Sequence, residues 1–194
     1  MVSRLQYITL LLSLFCCGHV FSTNFQVTNN ADSGPGSLRQ AIIDSNADRV
    51  VRNTITFNPG LGTITLTTGN LPPITQPVII NHTAAAVTID GNANGMGAMA
   101  NIGFQIEPSA GGTAPGLGTI VQGVNLQNFK GNIADPHDIA FGIFFNSSRN
   151  NSIVGNNISS ITGGGNGRGP AYGIYGSRIQ HPIIGFKSRV GVGL

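Results

Sequence analysis

Side chains able to move protons or hold a metal are scarce in this sequence: 194 residues include seven Asp and Glu and four His. Most of the acids have local structural explanations. Asp32, Asp44 and Asp48 surround a helix, Asp90 precedes a turn glycine, and Glu107 precedes Pro108. The one concentrated group is Asp135-Pro-His137-Asp138, where two carboxylates flank an imidazole. Such a set can do acid and base chemistry or ligate a cation. Its spacing matches no ligand pattern, so neither a metal nor a cofactor is expected, and a solvated loop shaped by Pro136 accounts for the same residues. A second candidate is aromatic: Tyr172 and Tyr175, with Arg178 nearby, offer ring faces and hydrogen-bonding groups to a sugar. Strand alternation places Tyr172 and Ile174 on one face and Tyr175 on the other, which favours one packed and one exposed tyrosine over a joint site. The run Gly163-Gly-Gly-Asn-Gly-Arg-Gly169 lacks the Gly-Lys-Ser/Thr ending of a phosphate loop and reads as a flexible loop. Asn146-Ser-Ser148 and Asn157-Ile-Ser159 match the glycosylation pattern, which recurs by chance in a chain with 20 Asn.

The elements that must carry these residues are mostly short strands. Phe25-Gln-Val27 alternates, and Asp32-Ser-Gly-Pro-Gly36 then redirects the chain. A helix follows at 37 to 46: Ser37 and Gln40 form a capping box, and Leu38, Ala41 and Ile42 share an apolar face opposite Arg39 and Asp44. Beyond it the period becomes twofold, through Ile55 and Phe57, Ile64 and Leu66, Val78 to Ile80, and Val87 and Ile89. The turns between these strands leave no room for crossover helices. In the second half, Thr119-Ile-Val-Gln-Gly-Val-Asn-Leu126, Ser152-Ile-Val-Gly-Asn-Asn-Ile158 and Pro182-Ile-Ile-Gly-Phe186 repeat at roughly 30 residues. Phe141-Gly-Ile143-Phe and Tyr172-Gly-Ile174-Tyr alternate with them, so two strands per coil are legible. Asn- and Gly-rich corners at this period are what a solenoid requires.

Composition limits the classes further. Charged residues make up 9% of the chain and hydrophobic ones 40%, with 28 Gly, a balance that suits β structure rich in turns. The net charge is +3 and the pI about 9.2, but Lys and Arg are scattered, so no nucleic-acid partner is expected. Residues 1–22 read as a signal peptide: Arg4 precedes an apolar run from Tyr7 to Cys17 that is too short to span a bilayer, and Val20-Phe-Ser22 offers a cleavage site before Thr23. Cleavage after Gly18 is an alternative, and a lipoprotein reading is weakened by Phe15 before Cys16. Cys16 and Cys17, the two cysteines, fall in that segment, so the mature chain would have no disulfide and no transmembrane segment.

The segment Phe25-Gln-Val-Thr-Asn-Asn-Ala-Asp-Ser-Gly-Pro-Gly-Ser-Leu-Arg-Gln-Ala-Ile42, followed by Ile55-Thr-Phe57, Gly62-Thr-Ile-Thr-Leu66, Leu71-Pro-Pro-Ile74 and Val87-Thr-Ile-Asp-Gly91, resembles the N-terminal region of exported bacterial right-handed parallel β-helix proteins with a Ser-Leu-Arg-Glu/Gln-Ala-Ile motif. The resemblance implies an initial strand and a helix capping one end of the solenoid. The expectation is therefore an all-β chain, a right-handed parallel β-helix with one short N-terminal capping helix. Residues 1–22 are the signal, 23–50 the first strand and cap, and 51–194 some five coils, incomplete at the C-terminal end. The expected function is that of an exported, adhesin-like scaffold, secreted, periplasmic or at the cell surface, meeting a glycan or cell-surface partner through loops at 92–101, 108–118, 130–139 and 162–170. Two alternatives stay open: a polysaccharide lyase or glycoside hydrolase using Asp135, His137 and Asp138, and a truncated remnant of a larger surface protein. Against the enzyme, the Asn-Thr-Asp and Asp-Asp signatures of polygalacturonases are missing, and Arg178-Ile-Gln only partly echoes their Arg-Ile-Lys element.

Overall fold

The computed structural model describes residues 22–49, 52–81, 87–92, 100–112, 117–132, 134, 135, 137–177, 183, 184 and 189–192. Nearly all of the signal-like segment, Arg178 and parts of three of the four expected presenting loops lie outside them.

Among the described residues, alternating apolar positions form fourteen strands: β1 (Asn24–Val27), β2 (Asn53–Phe57), β3 (Thr63–Thr65), β4 (Val78–Asn81), β5 (Val87–Asp90), β6 (Ile102–Ile106), β7 (Ile120–Gln122), β8 (Val124–Gln127), β9 (Ala140–Asn146), β10 (Ser152–Val154), β11 (Asn157–Ile161), β12 (Ala171–Ser177), β13 (Ile183–Ile184) and β14 (Arg189–Val192). They make three sheets, ordered β1-β2-β4-β7-β10-β13, β3-β5-β8-β11-β14 and β6-β9-β12. Every pairing between these strands is parallel. From β4 onward the chain visits the first, second and third sheet in that order and begins again. The circuit begun at β2 reaches the third sheet through a single parallel bridge, Ile74 to Ile106. The described residues are thus all-β, built from parallel sheets, with one helix of ten residues among them, α1 (Leu38–Ala47).

Register places like on like. Ile55, Ile80, Val121 and Ile153 are successive partners in the first sheet, and Ile64, Ile89, Leu126 and Ile158 in the second. Phe104 pairs with Ile143 in the third sheet, and all these side chains are buried in one apolar cluster shared by the three sheets. Burying each contributes about 1.5–3 kcal/mol, so the core draws on every circuit.

The chain carries three strands per circuit where the repeat read as two. Gly123 separates β7 from β8 with φ of 65°, and Gly155 separates β10 from β11 with φ of 66°. This left-handed conformation, open to glycine without a Cβ clash, splits one apparent strand into two that belong to different sheets. The buried Asn156 secures the first corner from the next circuit: its Oδ1 accepts from the Val124 N–H at 3.0 Å and its Nδ2 donates to the Val121 carbonyl at 2.8 Å.

At the N-terminal end, Ser37 caps α1 by accepting from the Gln40 N–H at 3.2 Å. The reciprocal arm of the expected capping box is not made: the Gln40 side chain donates to Asp44 at 2.8 Å, and the Ser37 N–H donates to the Gly34 carbonyl at 3.2 Å. Leu38, Ala41 and Ile42 are buried in the common core, where α1 packs on β1 and β2. Arg39 turns the motif into a clamp. Its guanidinium donates to the Asp32 carboxylate at 2.7 Å and to the carbonyls of Gly69 and Asn70 at 3.0 and 2.6 Å. Asp32 also accepts from the backbone and hydroxyl of Thr67 and of Thr68, at 2.6 to 3.2 Å. Burial pushes the Asp32 carboxyl up, but the hydrogen bonds from Thr68 and Arg39 and the Arg39 charge outweigh it and hold the group below the usual carboxylate range.

Candidate functional site

The acidic candidates do not converge. Asp135 is exposed and accepts from the His137 N–H at 2.8 Å, closing its own turn. Asp138 accepts from the N–H groups of Asn132 at 2.6 Å and Ile139 at 2.9 Å. His137 is exposed. These carboxylates are thus engaged in shaping a loop, and among the described residues no three His, Cys, Asp or Glu are placed to hold a metal. The glycine run expected as a flexible loop is part of the same structure: Gly164–Gly167 forms one helical turn, α2. Gly164 donates to the Asp138 carbonyl at 2.9 Å and Gly165 to that of Asn132 at 3.1 Å. A side chain on Gly164 would strike the Asp135 carbonyl, so the glycine is needed for two backbones to touch.

The aromatic candidates come together, against the expectation from alternation. Tyr172 and Tyr175 are both exposed, at 38% and 40%, with ring centroids 4.9 Å apart. Ile174 instead packs against the core. The cause is a break in the pleat that recurs in each strand of the third sheet. The sequences are Ile102-Gly-Phe104-Gln, Phe141-Gly-Ile143-Phe and Tyr172-Gly-Ile174-Tyr, aligned residue for residue by register except across the glycine row. A Cβ on Gly142 would lie 2.5 Å from the buried Ile158 side chain, so this position faces inward; Ile143 beside it is also fully buried. Two consecutive inward positions shift the pattern by one, which brings the residues before and after them to the same outer face.

The result is a rung of two phenylalanines beneath a rung of two tyrosines. Phe141 stacks with Phe144 at 4.9 Å and with Tyr172 at 5.8 Å, and Phe144 stacks with Tyr175 at 6.1 Å. Offset pairs at these separations contribute about 0.5–1.5 kcal/mol each beyond area burial. Phe141 is only 9% exposed, so the tyrosines supply the open part of the face. Among the described residues neither phenol hydroxyl has a hydrogen-bond partner.

A polar row runs beside the rings. Glu107 accepts from the side-chain amides of Gln105 at 2.5 Å and Asn146 at 2.8 Å, and Asn146 pairs in register with Ser177. Sequence reasoning explained Glu107 by its proline and did not find Phe141, Phe144, Gln105 or Asn146 as neighbours of the tyrosines. The signal for the phenylalanines was present in the repeated Gly-Ile motif. That for Gln105 and Glu107 was the same motif at Ile102-Gly-Phe104, made harder to see by the longer connection that follows it.

A hollow of about 230 Å³ between β1 and α1, lined by Asn24, Gln26, Gln40 and Asp44 among others, belongs to the cap. Among the described residues no helix is long and apolar enough to cross a membrane. Comparison with protein-family models, with curated proteins and with solved structures finds no match for the chain.

Proposed function

We propose that the protein is an exported, adhesin-like scaffold: a right-handed parallel β-helix that presents its outer aromatic face to a glycan or cell-surface partner. The observation that carries the reading is the outward cluster of Phe141, Phe144, Tyr172 and Tyr175, held in register on parallel strands. Of the four, Tyr172 and Tyr175 are exposed and touch each other, so two adjacent ring faces with polar tips are open to a partner. The solenoid is supported by the repeated order of sheets and by the shared core, and its hand by the strong preference of parallel crossovers for right-handed connections. Export is supported by the positive start and apolar run of residues 1–22. Stable anchoring points on an outer strand, backed by a packed interior, suit a presenting surface better than a mobile loop does.

The test is to apply the purified full chain to an array of neutral, acidic and amino-sugar glycans, alongside binding to intact cells before and after enzymatic removal of their surface glycans. Binding to a defined glycan subset, and loss of cell binding on stripping, is the expected result. No array signal, with cell binding that survives stripping, would transfer the face to a protein partner.

A further inference from the structure

Resting on that glycan-contacting reading, we propose that the Tyr172 and Tyr175 rung is a stacking site for neutral pyranose chains, with the Glu107 and Asn146 row as its hydroxyl-binding edge. The site has the two chemistries that a neutral sugar ring presents. Ring faces meet the apolar C–H face of a pyranose, and fixed acceptors and donors meet the hydroxyls at its rim. Phe141 and Phe144 back the tyrosines, so the exposed rings stand on a packed aromatic layer and do not need to be ordered on binding.

The polar row lies two residues along the strand from the Phe144 and Tyr175 row, about 7 Å away at strand rise, and successive rungs lie about 4.8 Å apart. Tyr175 thus lies about 8 Å from Asn146, one rung below, and about 12 Å from Glu107, two rungs below, a span of two linked sugar units lying across the rungs. Gln105 and Asn146 each donate to one oxygen of Glu107, which fixes the carboxylate while leaving lone pairs for sugar hydroxyls. Charge selects the class. The Glu107 carboxylate beside the aromatic row would set like charge against a uronate or sulfated chain placed over the tyrosines, whereas a neutral chain meets it only as a hydrogen-bond acceptor.

The chain has three Tyr and no Trp, so tyrosine emission reports on this face with little background. The full chain is titrated with cellohexaose and mannohexaose as neutral probes and with hexagalacturonate as the acidic one. The expected result is a saturable emission change with at least one neutral probe and binding of hexagalacturonate at least about tenfold weaker. The double variant Tyr172→Ala/Tyr175→Ala, followed by affinity electrophoresis in a gel containing the bound glycan, loses about tenfold or more in affinity. Tyr172→Phe/Tyr175→Phe keeps the rings and stays within a few-fold of the parent. Glu107→Gln narrows the gap between neutral and acidic probes, a readout that holds even if the alanine pair fails to fold.

Preference for hexagalacturonate, unchanged affinity in a folded alanine pair, or unchanged discrimination in Glu107→Gln would overturn the site. Glycan binding that persists in the alanine pair would leave the general glycan reading standing. An empty array would remove that reading itself.

Discussion

Asp32 illustrates how much one residue can tie together. It was read as an acid near a helix start, yet its carboxylate joins α1, through Arg39, to Thr67 and Thr68 on the following circuit. The group is 8% exposed, so its loss would leave donors without acceptors. Its folded pKa is depressed, so its contribution to stability is complete above the unfolded value of about 3.9 and is lost as pH falls through the folded value. Urea midpoints should therefore vary little through this group from pH 7 to 5 and drop below about pH 4. Asp32→Asn should lower stability by about 1–3 kcal/mol at pH 7 and flatten part of the acid limb. An unaltered acid limb in that variant would remove Asp32 from the account. The local sequence announced the helix cap but not the turn beneath it, because no short-range pattern says which later threonines will arrive there.

At the scale of the strand, one glycine per rung decides the face. Alternation is sound where the pleat is regular, as in β2 and β5, whose buried and part-buried residues alternate without interruption. It misplaced Tyr172, put on the face of the inward Ile174, because Gly142 and Gly173 sit where two successive positions turn inward. A methyl group on Gly142 would meet the Gly173 carbonyl and the Ile158 side chain, both at 2.5 Å. Gly142→Ala should cost about 1–3 kcal/mol by overpacking and should shift the tyrosine emission of the folded state as the outer rung moves. Equal stability with unchanged emission would mean that the glycine row does not set the face. The motif itself was legible as a repeat. Its consequence was not, since a pleat break is defined by the neighbouring strand and by the interior that it meets.

Over the whole molecule, stability is shared by circuits that touch only their neighbours in each sheet while contributing to one core. Arrays of this kind lose cooperativity when the interfaces between units are weak. Here the inward rows stay apolar through successive circuits, and buried asparagines such as Asn151 and Asn156 bond to the backbone of the preceding circuit. Urea unfolding followed by far-UV circular dichroism and by tyrosine emission should therefore give coincident single transitions, since Tyr172 and Tyr175 report on late circuits and dichroism on all. A tyrosine transition at clearly lower urea would show that the circuits around β12 open independently.

The sequence by itself determined the all-β class, the helix at the N-terminal end and its apolar face, the residues of most inward rows, and the period on which the strands return. Each follows from local physics: hydrophobic periodicity, a capping serine and glycine-rich turns. Tertiary structure alone decided that a full circuit has three strands, that Arg39 and Asp32 form a clamp, that Asp135 and Asp138 bond to their own loop, and that both tyrosines share a face, with Asn146 and Glu107 one and two rungs below. Those outcomes depend on which residues lie about thirty positions apart in adjacent circuits, and on an interior that forces two neighbouring positions inward. Contacts between circuits are made by stacking, and stacking is read from register rather than from the order of residues along one strand.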